Sequence, residues 1–223
     1  MPDSHLFEYT SGRWIYNDHL RQYERRRAFN VLELKRLAAV SVHRKEEDVS
    51  TFEKLAEGGF NRSFLVTMND GFQLPKFFVI ASEVATMDFL RSQGIPVPKV
   101  FGYSARSDNA AGTEYIFMEL VQGNNLGDIW SQLSEKERIN LVLQIVQMES
   151  RLLSLRFPAG GSLYYCKYSQ DKSSWIDISS TLPTSKRHFC IGPDTTIGLW
   201  YGKRRDLSVG RGPSALTAGI ILS

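Results

Sequence analysis

The segment between Thr51 and Gly123 has the clearest pattern in the chain and limits the fold more than any other feature. Two short runs of apolar and β-branched residues flank the pair Gly58-Gly59, and the second run ends at the Asn-Asp-Gly sequence of residues 69–71. Asp-Gly between apolar runs is typical of a hairpin turn. The pattern therefore predicts a strand, a glycine turn, a second strand and a second turn in succession.

A helix, two more strands and a long helix follow the predicted hairpin. Helical spacing of apolar residues predicts a helix over residues 82–93, and Gly94 suits the position just past its end. Two prolines then exclude a helix, and strands are predicted for residues 100–103 and for the apolar run 114–121. A capping sequence opens a long helix that is predicted for residues 134–155.

The chain thus predicts an α+β fold in three parts. Residues 1–50 form an N-terminal helical extension, with helices that begin near Asn17 and Val31. Residues 51–121 form a small antiparallel sheet with one helix, and residues 122–223 form a mostly helical part. Hydrophobic residues make up 42% of the 223 residues, which is enough apolar material for packed cores.

Three features of this segment are candidates for contact with a nucleotide. Gly58 and Gly59 let backbone N–H groups approach phosphate oxygens, although a plain hairpin turn explains the pair taken alone. Glu83 has the place of a helix glutamate that orients a phosphate-binding lysine, and it also suits a helix N-terminus through the macrodipole. The strand end with Glu119 and Val121 offers backbone groups to an adenine ring, whereas a core strand explains its apolar residues.

Four sequence blocks make this interpretation more specific: LAEGGFNRSFLV, SEVATMDFLRSQGIPVPKVFGYS, AGTEYIFMELVQG and RFPAGGSLYY. They resemble fungal proteins of the aminoglycoside phosphotransferase class, a protein-kinase-like family, and most of all the group called altered inheritance of mitochondria protein nine. The resemblance implies a kinase-like small lobe, an incomplete large lobe, ATP and magnesium as cofactors, phosphoryl transfer to a hydroxyl and a mitochondrial location. Nucleotide binding is then expected at Gly58, Gly59, Glu83, Glu119 and Val121.

Two departures from the family pattern argue against catalysis by this chain. The family carries a basic residue for the phosphates on a strand after the Asp-Gly turn. Here Lys76 is a poor substitute, because its neighbour Pro75 suits a sheet interior badly, and we expect the small lobe to lack this strand. The family's catalytic aspartate usually lies in a His-Gly-Asp loop, and none of the four histidines is followed two residues later by aspartate.

These departures predict a truncated relative with no catalytic and no metal-binding residues of its own. The alternative is a non-catalytic binding module of the pseudokinase type, for which a nucleotide is the expected ligand. A sheet without an interior strand leaves backbone groups unpaired, and the long helix would lack much of what it should pack on. Both features predict marginal stability or aggregation.

Composition limits the other functions. A net charge of +3 does not favour nucleic acid, although Arg21 with the arginines at 25–27 leaves an anionic surface as a third hypothesis. No apolar run reaches the roughly 20 residues that span a bilayer. The N-terminus has no transit-peptide pattern, so a cytoplasmic location is the alternative to a mitochondrial one. Cys166 and Cys190 have no metal-ligand spacing, and reduced thiols are favoured over a disulfide.

We expect this chain to transfer no labelled phosphate from ATP to added alcohols or proteins. Positioning and charge stabilisation supply nearly all of the catalysis in phosphoryl transfer, and the base, the metal ligand and the phosphate-gripping residue are all missing. An assay with labelled ATP and a panel of acceptors measures this. Turnover that disappears when Glu83 is replaced would contradict the expectation.

Overall fold

A five-stranded antiparallel sheet organises the first of two structural units. The first unit comprises Met1–Val84 and Pro98–Leu120, and the second comprises Ala85–Val97 and Val121–Ser223. The computed structural model describes residues 4–10, 12–57, 62–70, 73–77, 81–169, 175–179, 188–196 and 202–215.

The sheet has the strand order β1-β2-β3-β5-β4. Its strands are β1 (Val49–Glu57), β2 (Arg62–Met68), β3 (Gln73–Phe77), β4 (Val100–Ser104) and β5 (Tyr115–Met118). β1 and β2 pair antiparallel, which confirms the predicted hairpin. The strands predicted before and after the polar loop are confirmed as β4 and β5, which pair with each other.

The predicted absence of a strand after the Asp-Gly turn is wrong. β3 pairs with β2 from Gln73 to Lys76, and it pairs with β5 at Lys76 and Phe77. Among the described pairings, Pro75 is matched with Leu65 of β2, and the pairing with β5 begins one residue later. Proline lacks a backbone N–H and is tolerated in a strand at a position that pairs on one side only. It would interrupt the hydrogen bonds of a strand that pairs on both sides at that position.

Three helices accompany this sheet along the chain. Helices α1 (Asp18–Arg25) and α2 (Val31–Ser41) confirm the two helices predicted before the sheet. Helix α3 (Ala81–Ser92) confirms the helix predicted for residues 82–93, and it lies between β3 and β4 in the sequence. Gly94 follows α3 with a positive φ of 73°, which is the left-handed conformation expected of a glycine just past a helix end.

Aromatic rings fill the core of the first unit. The rings of Phe52 and Phe64 stack with their centroids 5.1 Å apart, and Phe29 meets Phe64 edge to face at 5.4 Å. Phe7 packs against Phe29 at 5.1 Å, and the apolar face of α2 is buried in the same cluster. Side chains from the predicted extension, residues 1–50, therefore pack in one core with the sheet.

Arg62 is a buried cation at the start of β2. Its Nε donates to Glu57 Oε1 at 2.5 Å, and its two terminal nitrogens donate to the carbonyl oxygens of Phe7 and Arg25, each at 2.7 Å. The Glu57 carboxylate also accepts from the Thr10 N–H at 2.7 Å. These bonds hold the N-terminal segment against the β1–β2 hairpin, because they compensate both buried charges.

The second unit contains small sheets and one long helix. The three-stranded sheet has the order β7-β9-β8, with β7 (Ser162–Tyr165), β8 (Ile176–Asp177) and β9 (Phe189–Gly192). The remaining elements are α4 (Leu126–Ile129), α5 (Glu135–Ser154) and the pair of β6 (Ala159–Gly160) with β10 (Ser214–Ala215). Phe189 of β9 packs against Phe89 of α3 at 5.6 Å and against Tyr165 at 5.5 Å, and the Tyr165 hydroxyl donates to Asp88.

Cys166 and Cys190 form a disulfide, so the predicted preference for reduced thiols is wrong in this structure. β7 pairs with β9 so that Tyr164 stands opposite Cys190, and Cys166 directly follows the end of β7. The two Cα atoms are 5.1 Å apart, which is within the range for a bridge. Nothing local in the sequence indicates this proximity, because 24 residues separate the two cysteines.

Helix α5 begins with the predicted capping box but leaves its apolar face uncovered. The Ser134 hydroxyl accepts from the Glu137 N–H at 3.4 Å, and the Glu137 carboxylate accepts from the Ser134 N–H at 2.8 Å. No residue of Glu135–Ser154 is buried. Large apolar side chains such as Val142 and Leu153 are exposed, and an apolar face of this kind favours association with other surfaces.

Replacing Arg62 by alanine should lower the free energy of unfolding by about 3–5 kcal/mol, because it leaves the buried Glu57 carboxylate without its nearest cation. Urea unfolding followed by circular dichroism measures the loss. The matched control is Arg106→Ala, which breaks an ion pair with Asp108 in which both side chains are more than half exposed. We expect the control to cost less than about 0.5 kcal/mol.

If Arg62→Ala does not fold, Arg62→Lys gives the same test with a smaller loss of stability. Lysine keeps the charge but lacks the planar fork that reaches three acceptors at once. Equal stability of Arg62→Lys and the unaltered chain would contradict the structural role of the guanidinium.

Candidate functional site

The glycine pair that was predicted to cover phosphates, Gly58 and Gly59, lies outside the described residues. Its surroundings are described on both sides, because β1 ends at Glu57 and β2 begins at Arg62. These two residues stand opposite each other in the hairpin and form the buried ion pair. The ion pair therefore holds both ends of the connection formed by residues 58–61.

Glu83 lies in the first turn of α3, as predicted. The residue is exposed, but its neighbours Ser82 and Val84 are buried. Desolvation of the Glu83 carboxyl raises its pKa above the ordinary glutamate value. A carboxylate whose charged form is disfavoured in this way is stabilised by a nearby cation or hydrogen-bond donor.

Glu119 and Val121 follow the last residue of β5, and the structure gives them different roles. The Glu119 N–H donates to the Lys99 carbonyl at 2.8 Å, and the Lys99 N–H donates to Glu119 Oε2 at 3.0 Å. The Glu119 side chain therefore fastens the end of β5 to the residue before β4. Val121 has 64% of its surface exposed.

The hairpin with the glycine turn and the strand that leads to Val121 belong to one sheet. Lys76, the residue considered as a substitute phosphate base, stands opposite Phe64 of β2 and Phe117 of β5. Both phenylalanines are buried in the core shared with α2.

Three of the four arginines proposed to contact an anionic surface have partners within the chain. Arg21 pairs with Glu24 at 3.0 Å. The Arg25 guanidinium lies 4.4 Å from the centre of the Tyr9 ring, and the Arg26 guanidinium lies 6.0 Å from the centre of the Phe7 ring. These contacts give the arginines a structural role on the N-terminal segment.

A cavity of about 490 Å³ lies beside Gly160 in the second unit. Arg204 and Arg211 line it, but the Arg211 guanidinium donates to the carbonyl oxygens of Arg204 at 2.6 Å and Leu207 at 3.1 Å. Arg211 therefore holds the loop that forms the cavity wall.

Three side chains that can bind a metal meet at the sheet β7-β9-β8. The ligand atoms of Cys166, Asp177 and Cys190 all lie within 4.8 Å of one another. Asp177 of β8 stands opposite Cys190 of β9, and its Oδ1 accepts from the Ser179 N–H at 2.7 Å. The sequence alone does not indicate this group, because the three residues do not have the short spacing that is typical of metal ligands.

Comparison with known proteins connects the chain with fungal relatives. It is 40% identical over 171 residues to a subtelomeric hrmA-associated cluster protein of Aspergillus fumigatus, an alignment that covers 72% of this chain and 32% of the relative. It is 27% identical over 239 residues to altered inheritance of mitochondria protein 9, mitochondrial, of Yarrowia lipolytica, with 93% of this chain and 41% of the relative covered. The protein of the same name from Saccharomyces cerevisiae is 30% identical over 184 residues, which cover 70% of this chain and 29% of the relative.

The chain is thus similar to altered inheritance of mitochondria protein 9, and it spans about a third of the length of these relatives. The predicted mitochondrial location is confirmed by relatives whose names place them in mitochondria. No protein-family model matches the chain, and no solved structure matches it. Among the described residues, no helix is both long enough and apolar enough to cross a membrane.

Replacing Glu83 by glutamine should stabilise the chain slightly at neutral pH. The raised pKa means that the ionised carboxyl is less favourable in the folded state than in the unfolded state, and glutamine removes that cost. We expect thermal unfolding to shift upward by about 1–3 °C. The gain should disappear below the ordinary glutamate pKa of 4.5, where both states of the unaltered chain are protonated.

The matched control is Glu149→Gln, because Glu149 is an exposed glutamate of α5. The midpoint temperature of thermal unfolding should not change with this control substitution. A lower midpoint for Glu83→Gln at neutral pH would show that the Glu83 charge has a stabilising partner within the chain.

Proposed function

We propose that the first unit and the residue that directly follows it, Val121, form the nucleotide-binding small lobe of an aminoglycoside phosphotransferase-like kinase and that this chain binds an adenine nucleotide without transferring its phosphate. The observation that carries the proposal is the sheet order β1-β2-β3-β5-β4, with α3 placed between β3 and β4 along the chain.

This order supports the proposal because each element has a counterpart in phosphoryl transfer by kinases. In kinases a glycine-rich loop covers the phosphates, a strand supplies a lysine, and the next helix supplies a glutamate that pairs with it. Here Gly58 and Gly59 lie between β1 and β2 in the sequence, β3 is the strand before the helix, and Glu83 lies in the first turn of α3. Desolvation raises the pKa of Glu83, and a carboxylate in this environment is stabilised when a cation binds beside it.

Adenine recognition is assigned to the chain that leaves β5. All four residues of β5 are buried, so the strand is a rigid base for the residues that follow. Glu119 is held by Lys99 through two hydrogen bonds, and Val121 two residues later is exposed. We therefore assign the adenine contact to the backbone N–H of Val121, with Glu119 in a positioning role.

The missing catalytic groups favour binding without turnover. The sequence has no histidine followed two residues later by aspartate. A nucleotide site that lacks the base and the metal ligand resembles that of a pseudokinase, and magnesium should then contribute little to binding.

The test compares Val121→Pro with Val121→Ala. ATP should raise the unfolding temperature of the unaltered chain with and without magnesium, and at a concentration about 100 times the dissociation constant the stabilisation should be about 2.7 kcal/mol. Val121→Pro removes the backbone N–H and should abolish this effect, whereas Val121→Ala keeps the N–H and should retain it. Scanning fluorimetry and calorimetric titration measure both.

Circular dichroism should show the same fold for both variants without ATP. No stabilisation of the unaltered chain by ATP would refute the proposal, and equal stabilisation of Val121→Pro would refute the assigned adenine contact. Strictly magnesium-dependent binding with measurable phosphate transfer would support a catalytic parent activity in place of a binding module.

A further inference from the structure

We propose that Cys166, Cys190 and Asp177 form a zinc site when the disulfide between the two cysteines is reduced. The three ligand atoms already lie within 4.8 Å of one another. The site belongs to the sheet β7-β9-β8 and does not depend on nucleotide binding by the first unit.

Strand pairing places the ligands around one point. Cys190 lies on the central strand β9, and Asp177 of β8 and Tyr164 of β7 stand opposite it on either side. Residues opposite each other in an antiparallel pair project from the same face of the sheet. Cys166 follows β7 directly and completes the group on that face through its sulfur.

The backbone around the ligands is held by hydrogen bonds that do not involve the disulfide. The Cys166 N–H donates to the His188 carbonyl at 3.0 Å, and the Ile178 N–H donates to the Phe189 carbonyl at 3.0 Å. The Ser179 N–H donates to Asp177 Oδ1 at 2.7 Å and orients that carboxylate. Reduction of the disulfide therefore leaves both the cysteine backbones and the aspartate in place.

The electron balance requires a two-electron reductant, and we assign this role to a dithiol protein of the thioredoxin class. Two electrons and two protons pass from the reductant to the disulfide, which yields two cysteine thiols and an oxidised reductant. Zinc then binds both sulfurs as thiolates and releases the two protons to solvent. Two zinc-bound sulfurs at the usual tetrahedral geometry lie about 3.8 Å apart, a separation that side-chain rotation within this group can reach.

The ligand set favours zinc over other metals. Two thiolates select against magnesium and calcium, which prefer oxygen ligands. A carboxylate beside them suits Zn²⁺ better than Cu⁺, which prefers sulfur alone. With three protein ligands, the fourth position of the tetrahedron is open to water.

The experiment uses the full chain, reduced with a phosphine and titrated with Co²⁺ as a spectroscopic probe. The reduced chain should develop a thiolate-to-cobalt charge-transfer absorption, and Zn²⁺ should displace it. Chain that keeps its disulfide should show no such absorption. Zinc should also raise the unfolding temperature of the reduced chain, because it binds the folded state preferentially.

Asp177→Asn should weaken zinc binding about tenfold or more, since an amide is a poorer zinc ligand than a carboxylate. The matched control is Asp194→Asn. Asp194 also accepts a hydrogen bond from a backbone N–H two residues later, that of Thr196 at 2.8 Å, but it is not one of the three ligands. This control should bind zinc like the unaltered chain.

Cys166→Ser should abolish the charge-transfer absorption, and it is preferred to a change at buried Cys190 because Cys166 is half-buried. Three results would each overturn the proposal. The first is that the charge-transfer absorption does not appear although thiol titration shows two free cysteines. The second is that the oxidised chain binds cobalt as well as the reduced chain. The third is that Asp177→Asn binds zinc with unchanged affinity. The first result would leave the cysteine pair as a structural disulfide only.

Discussion

The first unit depends on one buried cation. A buried guanidinium is tolerated only where acceptors replace its lost hydration, and Arg62 finds them on the Glu57 carboxylate and on the carbonyl oxygens of Phe7 and Arg25. Desolvation raises the pKa of Glu57, but the Thr10 N–H and the charges of Arg62 and Lys54 lower it by more, so Glu57 stays ionised. The N-terminal segment is therefore bound to the paired strands β1 and β2, which precede and follow the glycine pair in the sequence.

Elements with a local signal were predictable from the sequence. Ser134 begins α5 through its capping box, and Gly94 ends α3 in a left-handed conformation that favours glycine. β3 was not predicted, because the evidence for it is its pairing with β2 and β5, which the sequence does not show. Pro75 argues against a strand locally, and only the register with Leu65, one residue before pairing with β5 begins, shows how the proline is accommodated.

The helices and strands that carry the candidate residues were predictable from the sequence, but most contacts of these residues were not. Glu83 was found because its place near a helix start is a local feature. The bond between Glu119 and Lys99 joins residues on two segments, and the sequence alone does not show that β4 and β5 bring them together. Arg62 was not singled out, because an arginine beside a turn is ordinarily solvated and its three acceptors come from distant positions. The disulfide was mispredicted for the same reason.

Nucleotide binding and phosphoryl transfer place different demands on a chain, and this difference explains how one can persist without the other. Adenine recognition through a backbone N–H, as proposed for Val121, depends on the direction of the chain after β5 and tolerates many side chains. Phosphoryl transfer requires a base, metal ligands and a cation at fixed positions, so the loss of any one removes most of the rate. For the proposed nucleotide site, the buried strand β5 and the bonds between Glu119 and Lys99 supply the first requirement. The proposed absence of phosphate transfer rests on the second requirement, because no histidine of the sequence is followed two residues later by aspartate.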